Sequence, residues 1–286
     1  MLAPGGELDT ASPLATAAME SLREYPEFVR ELEEEAGESI DFRRAGAVEV
    51  AFSDAENDAL ERKSLRQAEL GIHSESCLHA GFPARLYPDD AVVDPRDVTR
   101  ALLTACRRRG VVIREHEQVL EISRDGRSVR TIKGDHGSEG VLIAAGAWSS
   151  ALLPGLPRTI PVRGHLISWV MTPWLLGPIL RHGHTYVLQR RSGILVAGAS
   201  TERVGFDRTL DESAIDDIQS RAIWLLPELG LQPPSERWNG FRPDIEAECP
   251  AVGKVPGTSV WTAFGHYRNG ILLAPETARR IAKMLT

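Results

Sequence analysis

Apolar residues recur at two spacings along the chain, and these spacings predict alternating helices and strands. The segments with helical spacing are residues 13–37, 54–71, 96–109, 211–229 and 271–285. Two of them start with a typical cap, because Ser12 and Asp94 each precede a proline at the first helical position. Ser53 and Glu56 have the spacing of a capping box. These signals predict where the first three helices begin.

Runs of apolar and β-branched residues between turn signals predict the strands. They are residues 47–52, 111–114, 119–123, 128–133, 141–146, 160–171, 185–190, 194–199, 237–241 and 260–264. Residues 141–146 are continuously apolar, which predicts a central strand buried on both faces. A long run of strands inserted among helix–strand units indicates an α/β protein with two interwoven domains, which no single cut separates.

The composition is that of a soluble globular protein and excludes several classes of partner. Apolar residues make up 42% and charged residues 26% of 286 residues. A net charge of -7 argues against nucleic acid, because no basic excess is present to neutralise phosphates. No apolar run approaches the ~18 residues of a membrane span, so we expect no membrane partner. Three cysteines without a Cys-x-x-Cys motif predict reduced thiols in a cytoplasmic protein, and we expect no metal site.

The segment between the last strand and the last helix is the strongest candidate for chemistry. A strand ends at Phe264, Gly265 and Gly270 frame a short loop, and an apolar helix follows. Such a loop directs backbone N–H groups and the positive end of a helix dipole to one place. An anionic oxygen, a phosphate or a reduced flavin ring would be favoured there. A plain strand-to-helix connection with glycine caps is the alternative.

Residues 265–275, Gly-His-Tyr-Arg-Asn-Gly-Ile-Leu-Leu-Ala-Pro, resemble the signature of the glycine oxidases of thiamine biosynthesis. These enzymes belong to the larger D-amino-acid-oxidase-like family, which also includes sarcosine oxidases. Other segments that resemble the family follow in the same order along the chain, namely residues 1–4 with Glu7, 93–96, 144–149, 161–164, and 238–243 with 250–253. The order of these matches, ending in the long signature, makes the resemblance specific.

The resemblance implies an α/β fold in which an incomplete FAD-binding, Rossmann-like domain is interwoven with a mainly antiparallel substrate-binding domain. The partial FAD domain would comprise residues 1–40, 90–155 and 245–286, and the substrate domain residues 41–89 and 156–244. The family's Gly-x-Gly-x-x-Gly unit of about 30 residues has no counterpart in the sequence, and Met1 matches an internal methionine of the family pattern. We interpret the chain as a fragment or as the product of a misassigned start, with an experimental deletion or a true shortened protein as alternatives.

The resemblance also assigns roles to individual residues. Arg242 would bind the carboxylate of the substrate, Tyr186 would help to hold it, and Arg268 would face the substrate or the flavin or form a salt bridge. Residues implied in FAD binding are Met1, Leu2, Ala3, Val119, Ala145, Gly146, Trp148, Gly265, His266, Arg268, Asn269, Gly270 and Ile271. Among these, Val119, Ala145 and Gly146 would approach the adenosine half, and Gly265, Gly270 and Ile271 the flavin ring.

The function implied is the FAD-dependent oxidation of glycine or a similar small amino acid, with electrons passed to dioxygen to give hydrogen peroxide, in support of thiamine biosynthesis. A flavin-dependent D-amino-acid dehydrogenase or a sarcosine-oxidase-like enzyme is one alternative. A truncated, inactive gene product without flavin is another. The partners are then a small amino acid and dioxygen, and a homo-oligomer is compatible with the sequence.

Overall fold

A computed structural model of the protein describes residues 1–171 and 176–286. The α-helices are α1 (Pro4–Glu7), α2 (Pro13–Ala36), α3 (Asp54–Glu69), α4 (Pro95–Arg108), α5 (Glu212–Leu225) and α6 (Ala274–Leu285). Short 3-10 helices span Gly146–Ala151 and Pro227–Leu231. The strands are β1 (Phe42–Arg43), β2 (Ala47–Val50), β3 (Glu75–His79), β4 (Phe82–Tyr87), β5 (Val92–Val93), β6 (Val119–Ile122), β7 (Ser128–Thr131), β8 (Gly134–Gly137), β9 (Val141–Ile143), β10 (Thr159–Val170), β11 (Ile179–His182), β12 (Thr185–Gln189), β13 (Ile194–Gly198), β14 (Glu236–Ile245), β15 (Ala251–Lys254) and β16 (Val260–Phe264).

The three helix starts predicted from capping residues are confirmed. The side-chain oxygens of Ser12, Ser53 and Asp94 each accept a hydrogen bond from a backbone N–H of the first turn, at 3.1, 3.3 and 2.9 Å. These bonds satisfy donors that a helix leaves without partners at its start. Gly37 ends α2 with φ at 63°, a left-handed conformation that glycine adopts without steric cost.

The largest sheet has eight strands in the order β14-β10-β13-β12-β11-β2-β4-β3. Its pairings are antiparallel except that of β11 with β2, as expected for a mainly antiparallel domain. Residues of α5 pack on one face of this sheet against Trp169 and Leu195. Side chains that alternate with these, including Leu188 and Val196, pack in a second core cluster with α2 and α4. The sheet therefore has an apolar layer on each face.

Two smaller sheets complete the mixed α/β architecture. Strands β15, β16 and β9 form one of them, in which β16 and β9 run parallel. Strands β6, β7 and β8 form an antiparallel meander. Val260 and Phe264 of β16 share a third core cluster with Ile122 and Ile143. None of the helices in residues 1–171 and 176–286 has the length and apolar character needed to cross a bilayer.

Two of the predicted strands are corrected by the structure. Residues 111–114 are not a strand, and the side chains of Val111 and Val112 are 52% and 75% exposed. A strand needs a hydrogen-bonded neighbour, and the described residues offer none at this place. The continuously apolar run 141–146 gives only the three-residue strand β9 at the edge of its sheet, where Leu142 is 43% exposed. The prediction of a central strand buried on both faces was therefore wrong for the described chain.

The ends of two helices also differ from the prediction. Helix α5 ends at Leu225 rather than at Leu229, because Pro227 starts a separate 3-10 helix. Helix α6 begins at Ala274 rather than at Ile271, so that the loop after β16 extends through Leu273. The loop identified from the sequence is therefore three residues longer than predicted. Seven of the observed strands were not predicted at all, namely β1, β3, β4, β5, β8, β11 and β15.

Candidate functional site

A cavity of about 110 Å³ contains seven of the fifteen candidate residues, including all three expected to contact the substrate. We call it the arginine cavity. It is lined by Met1, Ala3, Glu7, His184, Tyr186, Ala199, Thr201, Arg242, Arg268, Asn269 and Ile271. These residues come from the N-terminal segment, from β12 and the residues after β13, from β14, and from the loop before α6. The structure thus brings together Arg242, Tyr186 and Arg268, which are far apart in sequence.

Arg242 is a half-buried cation on β14. Its Nη1 donates a hydrogen bond to the backbone carbonyl of Ser200 at 3.0 Å. Among the described residues, no carboxylate lies within ion-pair distance of its guanidinium. Burial lowers the pKa of Arg242 and the charge of Arg268 lowers it further, yet a guanidinium remains protonated in proteins. A buried charge without a counter-ion is costly, so this position favours an anionic ligand.

Tyr186 enters the same cavity from β12. Its hydroxyl lies close to Gly198 of the neighbouring strand, where an added Cβ would be 3.2 Å away. Burial raises the pKa of this phenol, with a smaller opposing effect of Arg242 and Arg268, so the side chain is a neutral hydrogen-bond donor near pH 7. The hydroxyl has no hydrogen-bond partner in the described part of the chain. It is therefore available to a ligand beside Arg242.

Arg268 is already paired within the cavity. Its Nη2 lies 2.9 Å from Oε1 of Glu7, which is on α1. Helix α1 is held in turn by Asp90, whose carboxylate accepts a hydrogen bond from the Gly5 N–H at 3.1 Å and pairs with Arg181 at 2.6 Å. The neutralised Arg268 thus differs from Arg242 in the electrostatics that it presents to a ligand.

The loop between β16 and α6 is fixed by hydrogen bonds at several points. The hydroxyl of Tyr25 on α2 donates to the Ile271 carbonyl at 2.9 Å, and the Tyr267 N–H donates to the Pro243 carbonyl at 3.0 Å. Within the described residues, the backbone N–H groups of residues 270–272 have no acceptor. They lie just before the first turn of α6, where the helix dipole favours negative charge. The loop therefore offers backbone donors beside the arginine cavity, which Asn269 and Ile271 line.

A second cavity contains two of the three residues that were expected near the adenosine half of FAD, Val119 and Ala145. It has a volume of about 550 Å³ and is lined by Gln118, Val119, Leu120, Ala145, Trp148, Ala151 and Leu152. Most of these side chains are apolar, and Trp148 is 46% exposed. We call this the apolar cavity. An apolar wall with an aromatic ring is suited to the flat face of a heterocycle.

The remaining candidates line neither of these two cavities. Leu2 is fully buried and pairs with Ala91 through backbone hydrogen bonds. Gly146 starts a 3-10 helix next to Ala145, and Gly265 and Gly270 lie on the loop after β16. His266 points elsewhere, because its Nε2 is 3.1 Å from Oγ1 of Thr277 on α6 and its ring lines a separate cavity of about 60 Å³. Burial lowers the pKa of His266 to about 4.

Sequence reasoning did not single out His184, Ala199 and Thr201 as lining residues of the arginine cavity. A usable signal was present in the strand periodicity, because side chains two residues apart point to the same face. His184 lies just before β12 and is two residues from Tyr186. Residues 199 and 201, which follow β13, are also two residues apart. The sequence patterns assigned no role to His184, and Glu7 was named only as part of a segment that resembles the family.

The chain also resembles known proteins in sequence and in fold. Residues 1–284 match the family model described as FAD dependent oxidoreductase. The chain is 32% identical to the bifunctional protein ThiO/ThiG of Synechocystis sp. over 299 residues, which is 100% of the chain and 44% of that protein. It is 30% identical to the glycine oxidase of Bacillus subtilis over 298 residues, or 81% of that enzyme. The chain superposes on the crystal structure of glycine oxidase from Geobacillus kaustophilus with a TM-score of 0.93 at 28% identity. The superposition covers 99% of this chain and 82% of the Geobacillus chain.

Proposed function

The chain belongs to the family of FAD-dependent oxidoreductases, and on this premise we propose that the protein oxidises glycine or another small amino acid and passes the electrons to dioxygen. The likeness to glycine oxidases in sequence and in fold supports this choice of substrate class. The products would be an imino acid, which water converts to the keto acid and ammonia, and hydrogen peroxide. We further propose that this oxidation feeds thiamine biosynthesis, as the ThiO portion of the Synechocystis relative suggests.

The observation that carries the proposal is the half-buried guanidinium of Arg242, which has no carboxylate partner in residues 1–171 and 176–286. A planar guanidinium binds a carboxylate through two parallel hydrogen bonds, and the carboxylate replaces the counter-ion that the protein does not supply. The cavity of about 110 Å³ is far smaller than the roughly 300–1,000 Å³ of sites for drug-sized ligands. Its size and charge therefore favour a small carboxylic acid.

The other residues of the arginine cavity would orient this substrate. Tyr186 would donate a hydrogen bond from its hydroxyl to an oxygen of the bound carboxylate, because its phenol stays neutral. Arg268 would remain paired with Glu7 and would limit the cavity on that side. With the carboxylate fixed by two groups, only rotation about the bond from the carboxylate carbon to Cα remains free. This restriction lowers the entropic cost of presenting the Cα–H bond for reaction.

The described residues fit FAD at two places. The N–H groups of residues 270–272 lack acceptors and lie at the positive end of α6, which suits an electron-rich ring edge. The apolar cavity with Val119, Ala145 and Trp148 suits an adenine ring. When bound, FAD supplies the two-electron acceptor for the hydride from Cα. We propose that residues 1–40, 90–155 and 245–286 form the part that holds it and that residues 41–89 and 156–244 form the substrate-binding part.

The experiment is a substrate panel with the flavin-loaded protein. Glycine, sarcosine, D-alanine and D-phenylalanine are each supplied with dioxygen, and peroxide is measured with a peroxidase-coupled dye. We expect peroxide from glycine and sarcosine and little from D-phenylalanine. Turnover with an artificial electron acceptor but without peroxide would instead identify a dehydrogenase. Turnover of D-phenylalanine alone would contradict the small-substrate proposal.

A further inference from the structure

The guanidinium of Arg242 lies directly over a glycine of the adjacent strand. Arg242 on β14 pairs across the sheet with Val162 of β10, so Gly164 is its diagonal neighbour two residues along β10. Diagonal neighbours on one sheet face are within reach of long side chains. A Cβ built on Gly164 would overlap Nη1, Nη2 and Cζ of Arg242. Any residue other than glycine at this position would therefore displace the guanidinium.

The acceptor that holds Arg242 is itself fixed to the same strand. The Ser200 carbonyl accepts the Arg242 Nη1 hydrogen bond, and the Ser200 hydroxyl accepts the backbone N–H of His165 at 2.9 Å. Nε2 of the fully buried His165 accepts from the Asp211 N–H at 3.2 Å, so Nδ1 carries the proton and donates toward Glu202 Oε1 at 2.9 Å. Glu202 also exchanges two backbone hydrogen bonds with its bridge partner on β10. The carbonyl is thus a rigid reference point for the guanidinium.

We propose that Gly164 is a positioning residue for carboxylate recognition. Because it has no side chain, the Arg242 guanidinium can lie flat against β10 with one nitrogen on the Ser200 carbonyl, which leaves its other N–H groups for the substrate. This inference rests on the proposed role of Arg242. It assigns a function to a residue that does not itself line the arginine cavity.

The effect of a side chain at Gly164 can be separated from an effect on folding. The backbone of Gly164 is outside the left-handed region, so alanine can adopt its conformation without strain. Its direct cross-strand partner, Gly240, offers a matched control, because the two residues pair in register and a Cβ on Gly240 would meet no atom within 4 Å. The two alanine variants thus change the same residue type in the same pair of strands, and only one of them disturbs Arg242.

The test measures binding of glycolate, a two-carbon carboxylate, to the protein supplied with FAD, by calorimetry and independently of turnover. In Gly164→Ala we expect the Kd to rise about ten- to a hundredfold, as for a ~1 Å misplacement of a binding group. In Gly240→Ala we expect a Kd within about twofold of the parent, since the contacts are unchanged. Equal Kd values for Gly164→Ala and Gly240→Ala would overturn the positioning role.

Arg242→Ala distinguishes a failure of this inference from a failure of the proposed function. If Arg242→Ala leaves glycolate binding unchanged, Arg242 is not the carboxylate site and both proposals fail. If Arg242→Ala weakens binding while Gly164→Ala does not, only the inference about Gly164 fails. Should Gly164→Ala not fold, the double variant Gly164→Ala with Arg242→Ala must fold, because the overlapping group is gone. A double variant that is still unfolded would also overturn the proposal.

Discussion

Arg268 and Glu7 form an ion pair of 2.9 Å in the wall of the same cavity in which Arg242 has no carboxylate partner among the described residues. The pair joins the loop before α6 to helix α1. Its two charges cancel at the cavity surface, so the attraction for an anion comes mainly from Arg242. Arg242 and Arg268 thus differ in their attraction for an anion because Glu7 pairs with only one of them.

Removal of the Glu7 charge should therefore strengthen the binding of small carboxylates. In Glu7→Gln, Arg268 becomes a second unpaired cation, and we expect the Kd for glycolate to fall about three- to tenfold at low salt, or ~1 kcal/mol for a partly screened charge. The gain should shrink as salt is added. Asp58→Asn, an exposed change of the same net charge outside the cavity lining, is the control. A Kd that rises in Glu7→Gln would show that the ion pair is needed to shape the cavity.

Loss of the Arg242 guanidinium should cause the largest decrease in kcat/KM for glycine among the changes to the arginine cavity. Arg242→Ala leaves the substrate carboxylate without its partner, and we expect kcat/KM for glycine to fall about 30-fold to several-thousand-fold, which corresponds to roughly 2–5 kcal/mol. Arg242→Lys should recover only part of this, because an ammonium cannot form the planar two-point contact. Steady-state kinetics, with flavin content and melting temperature as folding checks, decide the matter. A variant that holds flavin and keeps kcat/KM within about threefold would make Arg242 a structural residue.

Tyr186→Phe should have a smaller effect, because only one neutral hydrogen bond is lost. We expect a decrease in kcat/KM for glycine that corresponds to ~0.5–1.5 kcal/mol. An amine without a carboxylate should react equally poorly with the parent and the variant. If instead the amine lost more than glycine in Tyr186→Phe, the hydroxyl would act on the amino group rather than on the carboxylate.

The pH dependence of stability should contain a contribution from His266. Burial lowers the pKa of its imidazole from about 6.5 to about 4, so the unfolded chain binds a proton that the folded chain excludes between these values. Stability is therefore complete above about pH 6.5 and declines as the pH falls toward 4, by at most about 3 kcal/mol. In His266→Gln, the free energy of unfolding measured in urea should depend less steeply on pH across this interval. An unchanged slope would show that His266 is not the group responsible.

The sequence predicted the elements best where local chemistry determines them. Ser12, Ser53 and Asp94 cap helices through bonds within one turn, so no tertiary information was needed. Strand β3, by contrast, is mostly exposed and follows no apolar alternation, and β4 contains Pro83. Their pairing depends on partners distant in sequence. The error at residues 111–114 has the same origin, because β-propensity does not reveal whether a neighbouring strand is present.

Only those site residues that belong to motifs resembling the family could be predicted from the sequence. The resemblance named Arg242, Tyr186 and Arg268, which the fold brings into one cavity, although their roles stay predictions. The pairing of Arg268 with Glu7 could not be read from the chain, since it depends on where α1 meets the loop before α6. The approach of Gly164 to Arg242 depends likewise on the register of β10 and β14.

The buried pair of Asp90 and Arg181 should be the most sensitive point in the support of helix α1. Both side chains are almost fully buried, their atoms lie 2.6 Å apart, and Asp90 also accepts the Gly5 N–H. Desolvation raises the pKa of Asp90 while Arg181 opposes this effect, so each charge depends on the other. In Asp90→Ala, Arg181 keeps a longer contact of 3.3 Å to Glu49 and its position over the Tyr87 ring, and we expect a loss of about 3–5 kcal/mol in the urea-unfolding free energy.

An exposed ion pair offers the control for this prediction. Glu236→Ala removes the partner of Arg96 at 3.0 Å, where both side chains are about half exposed, and should cost ~0–1 kcal/mol. The double change Asp90→Leu with Arg181→Met should recover much of the stability lost in Asp90→Ala, because it leaves no unpaired charge in the interior. Equal losses in Asp90→Ala and Glu236→Ala would mean that burial adds nothing to the Asp90 pair.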